Sequence, residues 1–285
     1  MRRYFITYGN KAYSDSKKRI LDEALQTGVF DETSAYGPED LSASTLKSPL
    51  MHYQRGGGYW IWKPDIIYQT LSRTDNDDIV VYADSGCSLF PSIEWDDYFG
   101  LLGKYDILVF RLNCINKKYT KKKVIDDYIP INGKWWGSYY QIAATVIILK
   151  KTAFSVSFIK EWKRLCTFDN IFDVSVDEKI CQCHGFVEHR HDQSILTALV
   201  YKYFRSGKIH ISWNHFENRD KGQCIWSSRI SNDGQRNHKT EMNGGKMLLK
   251  KYILQPIRTF RQKIYEFINS TTKVSQVNKY QLACL

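Results

Sequence analysis

Two apolar runs limit the folds open to this chain more than any other feature. Residues 79–83 read IVVYA, and residues 141–151 read QIAATVIILKK. A short β-branched run bounded by turn residues is a buried strand. The second run has almost no polar residue before its closing lysines, so it belongs at the centre of a sheet. YFITYG (4–9), YDILVFRL (105–112) and KIHIS (208–212) read as further strands, the last of these closing the series. Helical segments lie between them. SDSKKRILDEALQTG (14–28) has cap candidates at Ser14 or Asp15, apolar Ile20, Leu21, Ala24 and Leu25, and Gly28 as its stop. Pro64 suits the first turn of a helix on which Ile67 and Leu71 share a face. YTKKKVIDDYI (119–129) and AFSVSFIKEWKRLC (153–166) read as helices too. DQSILTALVYKYFR (192–205) reads as an amphipathic helix with Ile195, Leu196, Leu199, Val200 and Tyr203 on one face and Asp192 as its candidate N-cap. Strands that alternate with helices predict an α/β fold with a mostly parallel central sheet. Residues 31–58 are polar and rich in Gly, Pro and Ser, and are expected to be mostly loop.

The chain has 285 residues, enough for one large domain plus a tail. The expected division is a single α/β domain over 1–240 and a basic segment over 241–285. Within the latter, KMLLKKYILQPIRTFRQKIYEFI (246–268) carries six basic and no acidic residues from Lys246 to Lys263. That pattern suits a helical tail lying on an anionic membrane face; the alternative is a terminal helix packed on the domain. No apolar run reaches the roughly 18 residues of a transmembrane helix. The apolar part of MRRYFITYGN is short for a secretory signal. The expected location is therefore cytoplasmic, peripheral at the inner face of the cell membrane. Seven scattered cysteines, an odd number, suit reduced thiols. CQCHG (181–185) lacks a second ligand pair and reads as a loop with free thiols rather than a zinc site. The net charge of +11 and 14% aromatic residues fit nucleic acid, a membrane or a phosphate-bearing substrate. The basic residues thin out around the motifs below and gather in the tail, which argues against nucleic acid.

The motif-rich stretch is GGGYWIWKPDIIYQTLSRTDNDDIVVYADSG (56–86). Asp84 follows a strand, and open α/β sheets bind ligands at the C-terminal ends of their strands. A carboxylate there can hold a divalent cation that bridges a diphosphate. The bland alternative is a turn aspartate in Asp-Ser-Gly. Lys63, at the head of a helix, stands where anions are favoured, or else is a surface lysine lying along apolar groups. Of Trp60 and Trp62, one is expected in the core and one on a pocket wall. Gly56 to Gly58 allow a tight turn or close approach of backbone to ligand. In EHRHDQS (188–194), His189 and His191 point opposite ways if the segment is extended, and His191 is a candidate metal ligand or hydrogen-bond donor.

GGGYWIWKP, DIVVYADSGC, QIAATVIILKK and EHRHDQSILTAL, in that order, resemble a family of bacterial polysaccharide and O-antigen (capsule or lipopolysaccharide) glycosyltransferases with the GT-A fold. FITYGN and SKKRILDEA fit the same family, and the likeness spans roughly residues 4–205. It implies transfer of a sugar from a nucleotide diphosphate donor, a UDP-sugar first, to a growing glycan that is lipid-linked at a membrane. By position it implies donor contacts from Tyr8, Gly9, Trp60, Lys63, Asp84, Ser85 and Arg190. Asp192 and Gln193 line the reaction centre, and Mn²⁺ or Mg²⁺ sits on Asp84 with His191. The Asp-Gln pair points to retention of configuration; in an inverting reaction Asp192 is the candidate general base. One departure stands out. The family's D-x-D reads Asp84-Ser85-Gly86 here, so the second acid is missing. His191, His215 or Asp192 then supplies the ligand, or Lys63 and Arg190 neutralise the phosphates. A nucleic-acid-binding protein and a catalytically inactive sugar-binding relative are the rival readings.

Overall fold

The structure is a computed structural model that describes residues 1–129, 139–175, 177–219 and 222–230. These belong to the first of two units, Met1–Asn237. The expected basic tail, 241–285, lies outside the described residues.

In chain order the elements are β1 (Arg3–Tyr8), α1 (Ser14–Thr27), β2 (Glu32–Tyr36), α2 (Trp62–Arg73), β3 (Ile79–Ala83), β4 (Ser88–Leu89) and α3 (Glu94–Leu101). Then come β5 (Ile107–Ile115), α4 (Lys122–Tyr128), β6 (Tyr140–Lys150), α5 (Ala153–Leu165), α6 (His191–Tyr203), β7 (Ile209–Trp213) and β8 (Ile225–Trp226). Six strands form one sheet in the order β2-β1-β3-β6-β5-β7. β1 runs parallel to β2 and β3, and β5 runs parallel to β7. β6 is antiparallel to both of its neighbours. The α/β class with a mostly parallel central sheet is therefore as the sequence predicts. β6 is central as expected, but reversed. β4 and β8 form a separate two-stranded ribbon.

Period-2 alternation builds a core on each face of the sheet. On one face Ile6, Val80, Tyr82, Val109, Ile147 and Leu149 pack with Ile66, Ile67 and Leu71 of α2, Phe158, Ile159 and Trp162 of α5, and Ile195, Leu196 and Leu199 of α6. On the other, Phe5, Val81, Leu108, Phe110 and Ile148 pack with Ile20 and Ala24 of α1 and with Trp95 and Phe99 of α3. Burying each such side chain contributes about 1.5–3 kcal/mol.

Several expectations are corrected. Residues 31–58 are not mostly loop: they hold β2 and several short helical turns. β2 is an edge strand, ETSAY, with only Tyr36 buried, so it needs no apolar alternation and shows none. KIHIS does form β7, but β8 follows it. The amphipathic reading of α6 is too narrow, because it is buried almost all round, from His191 to Tyr201 with Gln193 half-buried. Its N-cap is Arg190, and Asp192 lies inside the first turn. At α1, likewise, Ser14 and Asp15 lie within the helix and Tyr13 is the cap.

Ile147 is fully buried between β3 and β5. Ile147→Ala is expected to cost about 2–5 kcal/mol of stability, read from the shift in a urea unfolding curve.

Candidate functional site

The site begins with an irregularity in β6. Val109 of β5 pairs with Ile147, yet its neighbour Phe110 pairs with Ala143. Residues 144–146 are thus extra on β6 relative to β5, a bulge that frees backbone groups beside the C-terminal end of β3. Thr145 O accepts from Asp84 N (2.9 Å), which continues the β3–β6 ladder by one bond. The two backbone polar groups of Ala144 turn to side chains instead. Its carbonyl accepts from Lys63 Nζ (2.9 Å), and its N–H donates to Gln193 Oε1 (3.5 Å). Gln193 also donates to Gln141 Oε1. The bulge therefore binds the head of α2 and the first turn of α6 to one point of the sheet.

Lys63 is the centre of this arrangement, with only 3% of its side chain exposed. Its ammonium lies 3.1 Å from Asp84 Oδ1 and 3.4 Å from Asp192 Oδ2. Burial pushes its pKa down, but the Asp84 and Asp192 carboxylates more than offset that and hold it above the ordinary lysine value. Asp192 is buried, and burial lifts its pKa to about 6, Lys63 opposing and Asp84 adding to the rise. Trp162 Nε1 donates to the Asp192 carbonyl and anchors the turn (3.1 Å). Asp84 is the exposed end of the chain of charges, 36% open to solvent, and also accepts from the Tyr82 hydroxyl.

Asp84 opens into a cavity of about 520 Å³. Its walls are Tyr8 at the end of β1, Gly9, Asn10, Ala12 and Tyr13 after it, Gln54, Gly56, Gly57, Trp60 and Trp62 before and at α2, Asp84 to Cys87 after β3, Thr145 in the bulge, and Ser227, Arg229 and Ile230. Tyr8 and Trp62 are stacked (3.9 Å between centroids, 19° apart). Burial pushes the Tyr8 phenol up to about 12, with Glu39 and Asp40 adding to it. Arg19 of α1 holds the loop after β3: it donates to the carbonyls of Ser85 (3.1 Å) and Cys87 (2.8 Å) and to Ser88 Oγ (3.0 Å).

The Trp60 wall is made by an unusual backbone. Gly56, Gly57, Gly58, Tyr59 and Trp60 all have positive φ, from 54° to 97°. This is a left-handed turn, which costs about 1–2 kcal/mol for each non-glycine residue in it. Glycine is required at its start, since a Cβ on Gly56 would lie 2.3 Å from the Trp60 ring. Compensation comes from Trp62 Nε1, which donates to Gly56 O (2.9 Å), and from Tyr59, which is buried and donates to Asp173 (2.8 Å). Trp60 stacks on His191 (5.5 Å, 20° apart).

The sequence-expected residues fall into three groups. Tyr8, Gly9, Trp60, Asp84 and Ser85 line the cavity. Both tryptophans line it, not one, although Trp62 is also core. Lys63, Asp192 and Gln193 stand behind Asp84 rather than on the wall. Arg190 and His191 lie elsewhere. Arg190 sits over the Tyr119 ring (3.9 Å) and pairs with Glu188. His191, at φ +46°, puts Nδ1 on Ile171 O (2.8 Å) and Nε2 3.7 Å from Asp173. The segment is not extended there, and the His189 and His191 rings meet edge to face at 5.6 Å. His189 is buried, and burial holds its pKa well below the usual value. His215 is paired with Glu94 (2.6 Å). Asn10, Gln54, Thr145, Ser227 and Arg229 were not foreseen. Thr145 reaches the cavity through a bulge that no residue pattern announces, and CIWSSRI (224–230) has no ligand signature.

The metal expectation meets a donor set that does not fit it. Among the described residues no group of three or more His, Cys, Asp and Glu is placed to hold an ion. Asp84 Oδ1 is already engaged by an ammonium and a phenol, and position 86 carries no acid. Cys181 and Cys183 are free thiols. No helix among the described residues is long and apolar enough to cross a membrane.

No protein-family model matches the chain, and no curated protein matches it in sequence. Several solved structures are similar in outline. One is a glycosyltransferase involved in glycosylation of the major capsid of PBCV-1, 13% identical over 83% of this chain and 96% of that one, with a TM-score of 0.42. Another is mouse xyloside xylosyltransferase 1, 12% identical over 73% and 84%, TM-score 0.40. A third is the glycosyltransferase GlyE of Streptococcus pneumoniae TIGR4, 13% identical over 70% of this chain, TM-score 0.37; the match spans only 43% of that enzyme's length. Likeness at this level leaves function to the chain's own residues.

Two outcomes follow from the buried charges. Lys63→Met leaves Asp192 without its counter-ion and is expected to cost about 3–5 kcal/mol; adding Asp192→Asn should recover part of that in urea unfolding. The Asp192 pKa is raised on folding, so its contribution to stability is full below pH 3.8 and is lost as pH rises through about 6. Wild type should therefore lose stability relative to Asp192→Asn across that window, in denaturation curves taken at successive pH values.

Proposed function

We propose that the chain is a glycosyltransferase that moves a sugar from a nucleotide diphosphate donor, a UDP-sugar first, onto a growing surface glycan. The observation that carries this reading is the cavity itself: an exposed carboxylate at the end of β3, backed by a buried ammonium and a second carboxylate. The site has the size of a small-molecule pocket, about 300–1,000 Å³ in general. It lies at the carboxyl end of parallel strands, where open α/β sheets take ligands. Its aromatic walls suit a base and a sugar ring, both of which present flat faces.

The residues then have distinct parts. The Tyr8–Trp62 stack and the Gly9 backbone take the nucleoside, and Trp60 faces the sugar. Asp84 orients ribose or sugar hydroxyls by accepting their hydrogen bonds. Lys63 holds Asp84 in place, and with Gln193 it locks the bulge. The first turn of α6, with Asp192 and Gln193, supports the reaction centre from behind. Retention of configuration suits this arrangement, because Asp192 is enclosed by Lys63 and is not on the cavity wall where a general base must meet the acceptor. The departing phosphate then takes the acceptor's proton.

The acceptor proposed is lipid-linked, at the inner face of a cell membrane. Support for that comes from the six basic and no acidic residues between Lys246 and Lys263, a composition that anionic lipid attracts.

Incubation with a panel of nucleotide sugars, in Mn²⁺ and in EDTA, should release nucleoside diphosphate from one of them. Asp84→Ala should reduce that release by about 100-fold or more, the scale of losing a fixed polar contact at a reacting centre, without loss of fold by circular dichroism. Absence of both turnover and nucleotide-sugar binding by calorimetry would overturn the reading.

A further inference from the structure

The missing acid at position 86 has a physical counterpart. A Cβ on Gly86 would lie 3.4 Å from Arg229 Cα and 3.6 Å from Ile230 O, so the chain around Arg229 fills the place beside the turn. That chain is held from both sides. Ile230 N donates to Gly86 O (3.2 Å), Ser228 Oγ donates to the same carbonyl (2.9 Å), and Ser16 Oγ of α1 donates to Ile230 O (2.9 Å). Between these anchors Arg229 has φ +56°. A non-glycine residue kept in that region is strained, and such strain gathers at ligand sites.

Arg229 lines the cavity, and among the described lining residues it is the one cation, as Asp84 is the one carboxylate. Its present partner is Glu217, and both side chains are nearly half exposed, 47% and 42%. An ion pair so open to water contributes little and can be exchanged. A guanidinium matches phosphate oxygens with two parallel N–H bonds.

We propose that Arg229 is the diphosphate-binding cation of this site, in place of a metal held by two acids. This rests on the nucleotide-sugar reading and adds to it the group that receives the leaving charge. As the sugar is transferred, the bond between its anomeric carbon and the β-phosphate oxygen breaks, and the electron pair goes to that oxygen. The acceptor oxygen bonds to the anomeric carbon, and its proton passes to the departing phosphate. The negative charge that grows on the diphosphate is met by the Arg229 guanidinium at the cavity wall.

The test is calorimetric titration of the full chain in EDTA with UDP and GDP, beside uridine and guanosine. Wild type is expected to bind one diphosphate without metal. Arg229→Ala should weaken that binding by about 10- to 100-fold, the range of a charge-assisted hydrogen bond. The matching nucleoside should bind both proteins alike, which a merely structural defect would not allow. Arg229→Lys should fall between, since it keeps the charge and loses the fork. Three results would overturn the proposal: equal diphosphate affinity in Arg229→Ala, parallel loss of nucleoside and diphosphate, or wild-type binding only when Mn²⁺ is present. A wild type that binds diphosphate while Arg229→Ala does so equally leaves the transferase reading standing; a wild type that binds no nucleotide in either buffer removes both.

Discussion

The ammonium of Lys63 is the point on which the site depends. An uncompensated charge in a protein interior is costly enough that the group normally gives up its proton. Here three oxygens surround it: the Ala144 carbonyl, Asp84 and Asp192. Each comes from a different element, respectively the bulge of β6, the end of β3 and the first turn of α6. Burial of one cation thus ties together three parts of the chain that are far apart in sequence. Moving any of these places removes one of the ammonium's three oxygen partners, so the geometry is strongly specified.

A second constraint acts from the opposite side. The left-handed turn from Gly56 to Trp60 stores backbone strain, and the packing of Tyr59 and Trp62 against the domain holds it in place. What this achieves is to set Trp60 against His191 with one side toward the cavity. The two constraints meet at the head of α2, since Trp60, Trp62 and Lys63 lie within four residues. A rigid aromatic wall and a fixed charge are delivered together by a single helix start. Asp84, by contrast, remains partly open to solvent, held by Tyr82 and Lys63 and carried on a loop that Arg19 clamps. An anchored carboxylate facing water is free to meet a ligand, whereas Asp192 is not.

The cavity wall carries one carboxylate, Asp84, and one cation, Arg229, among the described lining residues, with glycine rather than an acid at position 86. Placing a second acid at position 86 would bring it against the Arg229–Ile230 backbone. A Cβ there would make ordinary contact with that backbone, and the segment brings a guanidinium to the cavity wall. In the proposed reading, phosphate charge is balanced by a side chain carried on this later segment.

Much of the fold was legible because its signals are local. A β-branched run such as IVVYA forms a strand wherever it is buried, and a helix with apolar residues three and four apart shows its face in its spacing. Asp84 at a strand end, Lys63 at a helix head and Asp192 with Gln193 at a helix start could be picked out for the same reason. The edge strand β2 was not legible, because an edge needs little apolar surface and ETSAY offers little. Nor could residue order show that β6 runs against its neighbours, since direction is a matter of pairing and not of composition. The sequence by itself determined which residues are chemically able to act. Only the tertiary structure decided which of them meet. It buried Lys63 rather than leaving it on the surface, enclosed Asp192 rather than using it as a cap, and turned Arg190 and His191 away. It brought Arg229 to the cavity through backbone hydrogen bonds, which any residue can make and which therefore leave no mark in the order of side chains.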